Sequence, residues 1–148
     1  SMAKVGRLRG LRIPTQAFSV PGNDDPVVVR GLSFSDISVL VEGYAPELKR
    51  LFDEISGDVE NLDNADVLKF AKVLFAQVPD MAAVIIALAA DEPDAAEQVK
   101  SLPFPLQVEM VEAIALLTFS TQGGPKKVVE TVLRLVAGVN GLIADLKA

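Results

Sequence analysis

The sequence predicts a mainly α fold: a small helical bundle of about five to seven helices preceded by an N-terminal β-hairpin. Three observations carry this. The turn formers Pro21-Gly22-Asn23-Asp24-Asp25 separate an alternating stretch, Thr15 to Val20, from the β-branched run Val27-Val28-Val29, which is the pattern of a hairpin. From residue 33 onward apolar residues recur at spacings of three and four, the period of helices that bury one face. Glycine and proline then divide this helical stretch into segments. The chain of 148 residues is long enough for one domain with a real core. Residues 1–14 read as a basic, flexible N-terminal arm, and 15–148 as a single domain with the hairpin over 15–30 and helices over 33–148. Ser1 ahead of Met2 reads as a scar of tag removal.

Each element has a local cause. An isolated two-stranded hairpin is marginal in water, so this one must pack on the helices, pair with another chain or move. After Gly31, Ser33 or Ser35 can cap a first helix, Asp36 suits its positive end, and Ile37, Leu40 and Val41 supply its apolar face. A break is expected at Gly43-Tyr44-Ala45. Pro46 suits the first turn of the next segment, whose stripe is Leu48, Leu51, Phe52 and Ile55, with Gly57 as its stop. Asp58 to Asn64 reads as an acidic loop. Asn64 is placed to cap a helix with Val67, Leu68, Phe70, Ala71, Leu74 and Phe75 on one side. Pro79-Asp80 starts another helix, apolar for ten residues from Met81 to Ala90; this is well short of the roughly 20 that span a bilayer and reads as a helix buried on all sides. Asp91-Glu92-Pro93 opens a short polar helix, Pro103 and Pro105 bracket the entry to one running from Leu106 to about Ser120, and Thr121-Gln122-Gly123-Gly124-Pro125 is a helix stop followed by a helix start. On the last helix Val128, Val132, Leu135, Val139, Leu142 and Leu146 form a heptad seam, widened by Val129, Leu133, Val136 and Ile143. A core-facing role for this stripe competes with a partner interface. Gly138 and Gly141 weaken the helix while permitting close backbone approach, or else mark its frayed end.

Composition removes most chemistry. Cysteine and histidine are absent, and with them the thiolate nucleophile, the usual neutral-pH base and the commonest transition-metal ligands. The net charge of −6 conceals an asymmetry: Lys4, Arg7, Arg9 and Arg12 with no acid in residues 1–12 leave −10 on the remainder. An acidic body argues against nucleic-acid binding, which relies on Lys and Arg contacts to phosphate. No signal peptide is visible, which makes the cytoplasm the expected location.

The carboxylate clusters match no site. Glu109 and Glu112 could share a helix face but lack the second pair or histidine of a di-metal bundle. Asp53, Glu54, Asp58, Glu60, Asp63 and Asp66 do not follow calcium-loop spacing. The turn Gln122-Gly123-Gly124-Pro125-Lys126-Lys127 lacks the glycine spacing and Lys-Ser/Thr ending of a nucleotide loop. Lys126 and Lys127 also stand at the unfavourable positive end of a helix, a placement that would suit a partner. No catalytic, metal or cofactor-binding residue is therefore assigned.

Phe18-Ser19-Val20-Pro21-Gly22, Val29-Arg30-Gly31-Leu32-Ser33-Phe34-Ser35-Asp36-Ile37, Phe104-Pro105-Leu106-Gln107 and Leu117-Thr118-Phe119, followed by Gly123-Gly124-Pro125-Lys126-Lys127-Val128-Val129-Glu130, resemble in that order the tail assembly chaperones, or pre-tape-measure proteins, of siphophage-type phages and prophages. The resemblance covers the hairpin, the first helix and the last two helices; the middle is generic helix. It implies a non-enzymatic, self-associating, largely helical protein that binds and solubilises the tape measure protein in the cytoplasm of the bacterial host, with no nucleic acid, membrane or small-molecule substrate. A virion structural or adaptor protein of the tail, and a small cytoplasmic enzyme working through carboxylates alone, stay open beside it. If apolar contacts bind the partner, the expected contributors are Val132, Leu135, Val139 and Leu142 on the last helix, with Phe18 and Val28 of the hairpin as a second set.

Overall fold

The hairpin pairs β1 (Thr15–Phe18) antiparallel with β2 (Val27–Arg30), Thr15 opposite Arg30 and Phe18 opposite Val27. The structure is a computed structural model describing residues 6–55, 61–120 and 123–147, without the side chains of residues 55, 140, 142–144 and 147. Phe18, Val20 and Val29 are buried and β2 lies against the helices. The hairpin thus gains the support that two strands alone lack by packing on the bundle.

Among the described residues six helices follow: α1 (Phe34–Ile55), α2 (Asn64–Gln77), α3 (Pro79–Ala89), α4 (Ala96–Val99), α5 (Phe104–Phe119) and α6 (Gly124–Lys147). The expected break in α1 is a kink. Tyr44 leaves helical geometry (φ −137°, ψ 28°) and Pro46 follows two residues later, where its missing N–H fits the start of a new helical turn. The stop expected at Gly57 and residues 58–60 of the expected acidic loop lie outside the described residues.

Helix caps explain the boundaries. Ser33 caps α1: its N–H donates to Asp36 Oδ2 at 2.7 Å and the Asp36 N–H donates to Ser33 Oγ at 3.3 Å, a reciprocal capping box. Asp63, not Asn64, caps α2. Its carboxylate accepts from the Asp66 N–H while Asp66 accepts from the Asp63 N–H, both at 3.0 Å. Only Asp63 has an acid three places on to complete the box, and Asn64 is already the first helical residue. The polar segment after α3 becomes helical only at Ala96, because residues 90–92 first close the end of α3. The Asp91 N–H donates to Leu88 O and the Glu92 N–H to Ala87 O, a Schellman closure in which Asp91 takes the left-handed position (φ 58°) usually given to glycine.

The core lies where α1, α2, α3, α5 and α6 meet. Phe70 of α2 is the central ring, with centroids 4.9 Å from Phe52 of α1 and 6.1 Å from Phe119 of α5, within the range where tilted aromatic pairs add to burial. Helix α3 is buried along nearly its whole length, from Met81 to Ala83 and Ile85 to Ala89, as its continuous apolar run predicts. No single helix among the described residues is long and apolar enough to cross a membrane; α2 and α3 reach that length only together, across a bend of 120°.

Candidate partner-binding surface

Helix α6 begins at a turn that needs glycine: Gly123 and Gly124 have φ of +97° and +69°, where a Cβ is strained. The helix then lies chiefly against α1, with further contacts to α5. Val129, Val132 and Val136 are its buried row, while Val128, Leu133, Leu135 and Val139 are half-buried along the flanks. The heptad seam therefore straddles the edge of the core. Val132 is inside, Leu135 and Val139 are at the boundary, Leu146 is exposed, and the side chain of Leu142 lies outside the described set. Of the hairpin pair, Phe18 is buried and Val28 is 44% exposed. Of the described candidates, Val132 and Leu135 line one groove, while Phe18 is a core residue and Val28 an exposed strand residue.

What the structure does bring together is a groove between the start of α1 and α6. Leu32, Phe34, Ile37, Val128, Val132 and Leu135 line it, with Lys127 and Thr131 at its edge, and its volume is about 240 Å³. Phe34, at the first turn of α1, is 69% exposed, which leaves most of a large ring in water. Sequence reasoning missed Phe34 because it sits beside the cap, off the Ile37, Leu40, Val41 face. Beneath the groove an apolar cavity of about 50 Å³ reaches between α1, α2, α5 and α6, bounded by Leu40, Phe52, Phe70, Ile114, Val128 and Val132. Helix α6 is thus seated over a gap.

The groove's position is fixed by polar anchors on the link from β2 to α1. Arg30 donates to Asp36 Oδ2 and Asp91 Oδ1, each at 2.7 Å, and to the carbonyls of Gly31 and Leu88 at 2.9 and 3.2 Å. One guanidinium thereby joins β2, the start of α1 and the end of α3. Its two carboxylate partners hold the Arg30 charge well above its ordinary range. Burial works to raise the Asp36 carboxyl, but hydrogen bonds from Arg30 and Ser33 outweigh it and keep the group below its ordinary value. At Gly31 the link runs so close to α5 that an added Cβ would stand 3.0 Å from the Leu117 carbonyl carbon and oxygen. The next residue's N–H, on Leu32, donates to Thr118 Oγ1 at 3.0 Å, and that hydroxyl donates to Ile114 O at 2.7 Å.

Among the described residues no three Asp or Glu side chains cluster so as to hold a metal ion. Glu109 is exposed and Glu112 half-buried on α5.

Fold and surface together define a small helical protein that presents apolar grooves between its elements. The chain belongs to the pre-tape measure protein family, whose model matches residues 7–148, and with it to the proteins of phage tail assembly. No curated protein and no solved structure matches the chain.

Proposed function

We propose that this chain is a tail assembly chaperone of a long-tailed phage, which binds the tape measure protein in the host cytoplasm and keeps it soluble until the tail tube forms around it. Family membership supports the tail role. The observation that carries the binding reading is the α1–α6 groove, with Phe34 exposed beside half-buried Ile37, Val128 and Leu135. A long helical client offers an apolar stripe that repeats every three to four residues, and helix-in-groove recognition uses side chains of this kind as anchors. Binding through apolar contacts needs no cofactor and no catalysis. Charge contributes mainly to encounter rate, an effect that fades as salt rises.

The test is co-expression with a tape measure segment followed by pull-down. Phe34→Ser, Leu135→Gln and Val139→Gln should each keep a cooperative thermal transition and lose capture and solubilisation of the client. Variants that fold and still solubilise it as well as the wild type would remove the α1–α6 face from the reading.

A further inference from the structure

The segment ahead of the hairpin takes no part in the α1–α6 groove, yet it carries three large apolar side chains that stand mostly in water: Leu8, Leu11 and Ile13 are 83%, 63% and 59% exposed. They are interleaved with Arg7, Arg9 and Arg12, and no acid occurs before residue 24. A segment that is both basic and apolar, attached to an acidic body, needs a surface with an apolar floor and an acidic rim.

The protein has such a surface. Where β2, α3 and α4 meet, Val27, Ile86, Ala87, Ala90, Val99 and Leu102 floor a groove of about 190 Å³. Glu92 stands on its edge and is shared with an adjoining shallow concavity that holds Asp91 and Asp94. Residues 91–98 contain four carboxylates and no base. Arg30 answers Asp91, and Lys100 answers Glu97. Glu92 and Asp94, both exposed, meet no cation among the described residues.

We propose that residues 7–13 of one copy dock in the β2–α3–α4 groove of a second copy, Leu8, Leu11 and Ile13 meeting its floor while Arg9 and Arg12 meet Glu92 and Asp94. Chain direction favours the second copy over the chain's own groove. The segment joins β1 at Thr15, opposite Arg30, whereas the groove lies at Val27 on the opposite end of the hairpin, and β1 runs toward that end. Residues 7–13 therefore lead away from their own groove and would have to double back over the hairpin to enter it. They instead form a turn closed by Gly10 N–H to Gly6 O at 3.0 Å. Donor and acceptor surfaces differ, so the contact is heterologous and each added copy presents a fresh groove. This association stands independently of the α1–α6 groove and of what binds there.

Because the chain has no cysteine, the contact can be trapped by single introduced thiols. With dissolved oxygen as the oxidant and a copper catalyst at fixed concentration, Leu11→Cys protein mixed with Gln98→Cys protein should form a mixed disulfide dimer at least about tenfold faster than Leu11→Cys mixed with the distant control Lys49→Cys. The rate should fall as salt rises from about 0.05 to 0.5 M. Glu92→Arg/Asp94→Arg should lower the rate severalfold, and combining it with Arg9→Glu/Arg12→Glu in the donor should restore it. Equal rates for Gln98→Cys and Lys49→Cys, or a rate indifferent to the reversals, would overturn the proposal. So would a double Leu11→Cys/Gln98→Cys chain that closes only within itself at every concentration, which would make the segment's own groove its occupant.

Discussion

The Arg30 guanidinium and the Asp36 carboxylate meet at 2.7 Å where β2 hands over to α1, and both side chains are largely withdrawn from water. Asp36 also receives the Ser33 N–H, so one carboxylate caps a helix and anchors a strand. Removing one member of such a pair leaves the other buried without its partner, which costs more than the pair contributes.

Asp36→Ala should therefore destabilise the fold by about 3 kcal/mol at neutral pH, the lower end for a broken buried pair because Arg30 keeps Asp91. The folded Asp36 carboxyl lies below its ordinary 3.8, so its contribution is present in full above that value and is lost as pH falls through the lower, folded one. Denaturant titrations should show wild type and variant well separated at neutral pH and converging below pH 3.8. A gap that stays constant down to the acid limit would mean that ionised Asp36 is not the stabilising form.

Gly31→Ala should cost about 1–3 kcal/mol, because the new methyl meets the Leu117 backbone at 3.0 Å and neither the helix nor the strand end can retreat without breaking the Leu32 to Thr118 hydrogen bond. Gly43→Ala is the control. Among the described residues nothing lies within 4 Å of its Cβ position, and the change should be neutral or stabilise α1 by up to about 1 kcal/mol. Thermal melts should show Gly31→Ala below the wild type and Gly43→Ala at or above it.

Gly138 and Gly141 permit close backbone approach, yet among the described residues a Cβ at either meets nothing within 4 Å, and both glycines are exposed. Alanine at each should raise helix stability by about 0.5–1 kcal/mol. If a partner lies against this face, the same substitutions will weaken its binding while the isolated protein melts higher. Pairing melts with a client pull-down reads both effects.

Much of the fold was legible because its boundaries are local. Pro46, Pro79, Pro103 and Gly123-Gly124 act on their own turns, and the hairpin loop at residues 19–26 is dense in turn formers. The Arg30 hub was not legible, because its two carboxylates lie 6 and 61 positions along the chain and only the docked bundle brings them together. The apolar stripe of α6 could be read from spacing, but the row that faces inward could not. Val128, Leu135 and Val139 differ by about one residue's rotation from Val129 and Val136, and contact with α1 decides between them. The acidic-rimmed groove was hidden for a related reason: its carboxylates belong to a segment read as a polar helix, while most of its floor comes from α3 and from Val27 of β2.

That division of α6 can be tested on the helix itself. Val132 is buried and borders the 50 Å³ cavity, so Val132→Ala removes two methyl groups beside a space already incompletely filled. Its cost should be about 2–3 kcal/mol, since residual void adds to the lost transfer energy. Leu135 and Val139 are only half-buried, and Leu135→Ala or Val139→Ala should cost about 1 kcal/mol each because water already reaches part of what is removed. Client binding should show the reverse ranking: the boundary substitutions weaken capture by the intact fold, whereas Val132 lies buried at the floor of the groove and its truncation weakens capture less. Urea titrations give the stabilities, and pull-downs well below the melting temperature give the binding. If Val132→Ala lost capture while still fully folded, and Leu135→Ala and Val139→Ala retained it, recognition would run through the buried floor of the groove and not through the boundary residues of α6.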